Sequence, residues 1–350
     1  MGDRLLPFRE KRNETTVKIS LKSAFISALL AAALIGCGQS SESPDTTSSA
    51  DETDEKFIAI TQIVEHPALD AARDGVRDEL AEAGLKEGEN LKWQWESAQG
   101  NASTAAQIAS KFVGDNPDVI VAIATPSAQA AVSAAEEIPV IFTAVTDPVG
   151  AKLVENMAEP GGLVTGVTDL SPIGAQLDLI KEITPEVKRV GVLYNAGESN
   201  SVSLVELLKK EAESRNLEIV EATAAQSSNV ATAAQSLVGK ADVIYVPTDN
   251  TIVSALEAAI QVATENKIPL YAGDTDSVER GAIASLSFNY YDVGRQTGKI
   301  VLEVLEGKEP GAIAVQSVEK LELFVNLKAA EAMGVEIPDS VKSRAEKAIE

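Results

Sequence analysis

Several short polar runs in this chain carry residue types that can hold a small charged solute. Thr125-Pro126-Ser127 puts two hydroxyls at the start of an expected helix, beside backbone amides that a helix N-terminus leaves free. Hydroxyls and free amides together suit an anion such as a carboxylate. Asp249-Asn250 and Asp274 follow apolar runs and suit a cation, because an ammonium group buried without a partner is costly. Asp249 and Asp274 compete for that role. Thr146-Asp147 and His66 stand at further turns of the same kind. Each residue also has a plainer role open to it: the hydroxyls and carboxylates as helix caps, Thr146-Asp147 as a brace, His66 as a structural donor. Catalysis has no comparable set. The chain lacks G-x-S-x-G, a phosphate loop and metal-ligand spacing, so no catalytic residue, metal or cofactor is expected.

The elements that position these residues come in two similar units. Asp118–Pro148 reads as a buried strand, a polar turn, a helix and a second buried strand. Ser127 is its expected N-cap. Asp242–Asp276 repeats the pattern, again opening on Asp-Val-Ile and passing through Ile-Pro to an acidic turn. Two such units in two halves of one chain predict paired α/β lobes whose loops share a chemistry. Strands are expected at Phe57–Val64, Leu91–Ala98, Leu163–Asp169, Lys188–Tyr194, Leu217–Ala222 and Ile283–Phe288, with helices between them. Ser171-Pro172 opens a helix with Ser as cap, and Ser201 starts another. This alternation means parallel sheets with right-handed crossovers, where ligands gather at the carboxyl ends of the strands.

Composition narrows the classes further. The 350 residues suffice for two domains with proper cores, and the net charge of −23 argues against nucleic acid as a partner. With one His and one Cys in the chain, zinc or a Cys–His enzyme is disfavoured and no internal disulfide can form.

The single Cys has a specific place. Ala24–Gly36 is an apolar run too short to span a bilayer, and it follows Lys18 and Lys22, as the core of a secretory signal does. It ends in Leu34-Ile35-Gly36-Cys37, which resembles the lipobox whose Cys thiol accepts a diacylglycerol. Cys37 is therefore the expected lipidation site. Gly38–Asp54, rich in Ser, Thr, Asp and Glu, is the expected tether. Residues 1–16 mix acidic with basic side chains, so Val17 is an alternative start.

The runs HPALDAARDG, PDVIVAIATPSAQA, IPVIFTAVTDPVGA, LYNAGESNS, YVPTDNT, AGDTDSVERGA and NYYDVGRQTG resemble the substrate-binding lipoproteins of ABC importers. More narrowly, they resemble the tryptophan/tyrosine-type amino-acid-binding proteins of the type I periplasmic-binding fold, from Phe57 to Met333. The resemblance implies two Rossmann-like lobes joined by a three-segment hinge, closing on a small amino-acid-like solute and delivering it to a permease and its ATPase. It also implies site roles for Thr125, Ser127, Asn195, Asn200, Ser201, Asp249, Asn250 and Asp274. Among aromatics near strand ends, Phe142, Tyr194, Tyr271, Phe288 and Tyr290 are candidates for the ligand's side chain. The expected organisation is a signal peptide over 1–36 and a tether over 37–55. Lobe one takes 56–168 with about 290–310, and lobe two takes 169–289 with about 311–350. The expected protein is an exported, lipid-anchored monomer, with a signalling receptor as the alternative reader of its closed form. Replacing Cys37 by Ala leaves an unlipidated precursor, detected by loss of membrane fractionation and of acyl labelling. Loss of solute binding in that folded variant would contradict the tether reading.

Overall fold

The computed structural model describes residues 55–350, so Cys37, the signal segment and the tether to Asp54 lie outside the described residues. Among the described residues thirteen strands run in chain order: β1 Lys56–Gln62, β2 Leu91–Ser97, β3 Val119–Ile123, β4 Val140–Val145, β5 Val164–Thr168, β6 Arg189–Tyr194, β7 Glu218–Thr223, β8 Val243–Val246, β9 Leu270–Ala272, β10 Ala284–Ser287, β11 Gln316–Ser317, β12 Glu322–Asn326 and β13 Lys347–Ile349. A six-stranded sheet in the order β11-β5-β4-β3-β1-β2 is parallel throughout. A second parallel sheet has the order β7-β6-β8-β9. β10, β12 and β13 form a smaller third sheet, tied to β9 where the Ile283 amide donates to Leu270 O at 2.8 Å.

The apolar runs explain this order. Every residue of Val119–Ile123 and of Val140–Val145 is buried, as central parallel strands covered on both faces must be. Asn101 caps the helix Ala102–Asp115, its side chain accepting from the amides of Ser103 and Thr104.

Two hydrophobic cores result, one around each main sheet. The first runs from Phe57 to Val167 and adds Phe288, Tyr290, Val293, Ile300, Val301 and Ile313. The second runs from Ile173 to Ala284 and adds residues from Leu323 to Val341. The chain thus passes between cores three times: between Val167 and Ile173, between Ala284 and Phe288, and between Val318 and Leu323. This is the two-lobed α/β architecture with a three-segment hinge.

Several boundaries differ from the sequence expectation. Residues 311–317, expected in lobe two, belong to the first sheet: Gln316 and Ser317 pair with Val167 and Thr168 of β5. Thr165 Oγ1 also donates to Ile313 O at 2.7 Å, and Val315 N to Met157 O at 2.7 Å. The open edge of β5 claims this segment. The tail after Pro338 adds β13 to β12 and buries Val341. Neither Ser127 nor Ser171 is an N-cap. Ala124 and Pro172 hold those positions, and neither makes a side-chain cap bond. Ser201 lies inside the helix Ser199–Glu213, whose cap position is Glu198.

The closest helix pair sits beside the first core. The helices Pro67–Glu82 and Tyr290–Leu305 meet backbone to backbone at Gly75 and Gly294. A Cβ on Gly294 would lie 2.0 Å from Ala72 O, and one on Gly75 would lie 2.2 Å from Tyr291 O. Gly294→Ala should therefore cost at least about 2 kcal/mol, in the range of overpacked cores, read as a lower urea midpoint at unchanged m-value. Gly114→Ala, with open space at its Cβ, is the control and should not destabilise.

Candidate functional site

The carboxyl ends of both parallel sheets face one cleft. Ala144 and Thr146 reach it from the end of β4, Thr248 to Asn250 from the end of β8, and Asp274 from the end of β9. His66, Ala68 and Leu69 reach it at the start of the helix Pro67–Glu82, Asn200 from the helix Ser199–Glu213, and Val253 from the short helix Asn250–Val253. Asp169 and Tyr290 complete the lining from two hinge crossovers. The cavity is tight, about 20 Å³, so a solute larger than water needs the walls to give.

Two buried carboxylates build the lobe-two wall. Asp249 accepts from Asn195 N at 2.6 Å, Ser201 Oγ at 2.6 Å and Ile252 N at 2.8 Å. Glu198 accepts from Asn250 N and Nδ2 at 3.2 and 2.6 Å, and from Thr251 N and Oγ1 at 3.0 and 2.7 Å. Together they knit the loop around Asn195 to the turn at Asp249. Burial, with Glu198 adding its charge, pushes the Asp249 carboxyl up to about 7. Asn200 Nδ2 donates to Thr248 O at 3.1 Å, while its Oδ1 is buried without a partner.

Asp169 and Asp274 are bound more lightly. Asp169 accepts the Thr146 hydroxyl at 2.9 Å and the Tyr290 hydroxyl at 2.7 Å. Asp274 accepts the amide and hydroxyl of Ser277 at 2.8 and 2.7 Å. Burial raises both carboxyls above their ordinary range. His66 is held neutral, its pKa lowered to about 3 by burial and then by Arg280, and its Nδ1 has no partner. Among the described residues no group of three or more His, Cys, Asp or Glu is arranged to hold a metal ion.

The structure sorts the candidate residues. His66, Thr146, Asn200, Asp249, Asn250 and Asp274 line the cavity. Asn195 and Ser201 stand behind it as donors to Asp249. Thr125 and Ser127 do not line it, although both hydroxyls are buried and unpartnered. Of the aromatics, Tyr290 alone reaches the cavity. Phe142 and Tyr271 fill the cores, Tyr194 donates to Glu221, and Phe288 packs edge-on to Tyr290. Asp169 and Glu198 escaped the sequence analysis. Asp169 closes the expected strand Leu163–Asp169, and its residue type and spacing alone do not set it apart.

Two polar bonds cross the rim. Gln129 Nε2 donates to Ser199 Oγ at 3.3 Å, and Ser203 Oγ donates to Asp147 Oδ2 at 3.1 Å. The lobes are shut. The family described as ABC transporter substrate binding protein matches residues 57–349. The chain belongs to that family, one of solute-binding receptors rather than enzymes. A tyrosine-binding protein of Clostridioides difficile is 45% identical to this substrate-binding protein over 295 residues, 84% of this chain and 86% of that one. A Streptococcus pneumonia ABC domain in complex with L-Trp is 37% identical, covering 84% of this chain and 100% of its own, with a TM-score of 0.82. A ligand-free, open substrate-binding protein with adhesive properties from Clostridium difficile is 40% identical, with coverage of 84% and 99%, yet scores only 0.64. At similar identity, the better match to the ligand complex fits a closed disposition of the lobes.

Strain marks the cleft ends of β3 and β4. Ala124 has φ 73° and ψ 156°, a region that side chains other than Gly rarely adopt, and Ala144 has φ 54°. Ala124→Gly should raise the unfolding free energy by about 1 kcal/mol, the relieved strain exceeding the added chain entropy. A lower denaturation midpoint for that variant would count against the strained turn.

Proposed function

We propose that this substrate-binding protein receives a free aromatic amino acid in the interlobe cleft, held to the cell envelope through lipid on Cys37. It hands the solute to a permease and its ATPase. The observation that carries this reading is the closed cavity where both lobes and the hinge present buried carboxylates and unpartnered polar atoms. Ala68, Leu69, Ala144 and Val253 supply the apolar part of the wall, and relatives bind tyrosine and L-Trp. With the lobes apart, these groups are hydrated. A solute touching both lobes shifts the population toward the closed form, whose shape the permease reads. An aromatic amino acid is too large for the tightest closure, so the lobes stop short of it when loaded.

A thermal-shift screen of the soluble protein from Asp54 onward against amino acids, sugars and polyols tests this directly. A solute at a hundred times its Kd adds about 2.7 kcal/mol to stability. Tyrosine, tryptophan or phenylalanine should raise the melting temperature, and polyols should leave it alone. If no amino acid raises it, the amino-acid reading fails.

A further inference from the structure

We infer that the ammonium group of the ligand is taken between Asp169 and Asp274, with the carboxylate against the start of the helix Pro67–Glu82. The inference rests on the amino-acid reading above and assigns the two ends of the solute within the cavity.

Asp249, the strongest candidate from its position in the sequence, is already used. Three donors hold its two oxygens and fix the lobe-two loops, leaving it about one lone-pair position where Asp169 and Asp274 each keep about two. Asp169 and Asp274 differ. Each accepts two bonds in total, one to each oxygen, and each lines the same cavity at 3 % and 2 % exposure. A carboxylate offers about four lone-pair positions, so each retains acceptor capacity. Among the described residues no Lys or Arg lines the cavity. Arg280, which acts on Asp274 from a distance, is held by both oxygens of Glu257 at 2.8 Å and by Val253 O at 2.7 Å. The two carboxylates therefore lie buried without a cation, and burial accordingly pushes both upward. Asn200 is an independent pointer. It is 3 % exposed, and its side-chain carbonyl in the cavity has no donor. A three-proton ammonium matches two carboxylates and one amide carbonyl.

The start of the helix Pro67–Glu82 suits the anion. Pro67, Ala68 and Leu69 open a sixteen-residue helix, and the Ala68 and Leu69 amides precede the first helical acceptor, whereas Asp70 N already reaches His66 O at 3.0 Å. His66 Nδ1, nine-tenths buried, is unpartnered at the same place. The helix dipole favours negative charge there.

Asp169 also gives the ammonium a mechanical role. Its two donors come from Thr146, beyond β4, and from Tyr290, first residue of the helix after the second crossover. A cation on Asp169 therefore bears on two of the three hinge segments.

The experiment is calorimetric titration of the amino acid that the wild type binds, of its amine-lacking analogue and of its carboxylate-lacking analogue. Wild type should bind both analogues on the order of thirtyfold more weakly or worse. Asp169→Asn and Asp274→Asn should each lose most of the preference over the amine-lacking analogue and keep the preference over the carboxylate-lacking one. Asp249→Asn should lower the melting temperature and shift all three affinities alike. Each Asp→Asn variant is first checked for cooperative melting. Because the two residues sit on separate elements, a folding failure in one leaves the other to decide. Full retention of the amine preference in a folded Asp169→Asn or Asp274→Asn protein overturns the inference, as does its loss in Asp249→Asn. A wild type that binds no amino acid sinks the amino-acid reading instead.

Discussion

A carboxylate taken out of water loses solvation that only good partners restore, and this protein buries Asp169, Glu198, Asp249 and Asp274 along one seam between two apolar cores. The rest of the site depends on how each is compensated. Asp249 and Glu198 are met by backbone amides, side-chain amides and hydroxyls, enough to act as fixed struts in lobe two. Asp169 and Asp274 are met by fewer donors, mostly hydroxyls. The first pair makes the wall rigid. The second leaves unspent acceptor capacity where the lobes meet.

Topology puts that seam where it is. Parallel strands all deliver their carboxyl ends to one edge of a sheet. Two parallel sheets, linked by three crossovers, turn those edges toward each other, so turns distant in sequence share one cavity. The backbone-to-backbone contact at Gly75 and Gly294 sets the start of the helix Pro67–Glu82 against the start of the helix Tyr290–Leu305. His66 and Tyr290, each at the start of one of these helices, thereby reach the same space.

Much of this was legible in the sequence, for physical reasons. The apolar runs at Val119 and Val243 are buried strands, and the acidic turns after β8 and β9 do face the cleft. What escaped was decided by tertiary contact. Gln316-Ser317 is too short to show periodicity and becomes a strand because β5 has an open edge. Ser127 looks like a cap, but the turn is made by Ala124 in a conformation that its residue type does not announce. Asp169 closes an expected strand, and only the tertiary fold shows that Tyr290 and Thr146 converge on it. That three donors hold Asp249 likewise cannot be read from spacing.

The division of labour between seam and rim then explains how affinity and closure can be tuned apart. The rim bonds, Gln129 to Ser199 and Asp147 to Ser203, join the lobes with neutral donors at partly exposed positions. A hydrogen bond of that kind is worth about 1 kcal/mol. It adds equally to closure on any solute and so cannot discriminate. The carboxylates in the seam act only on a solute that brings positive charge to them, and their interaction strengthens as closure expels water. Asp169, itself in the first crossover and bonded to Tyr290 just past the second, ties that gain to the hinge itself. On the proposed reading, selection resides where the lobes pivot, and firmness of closure at the rim where they touch.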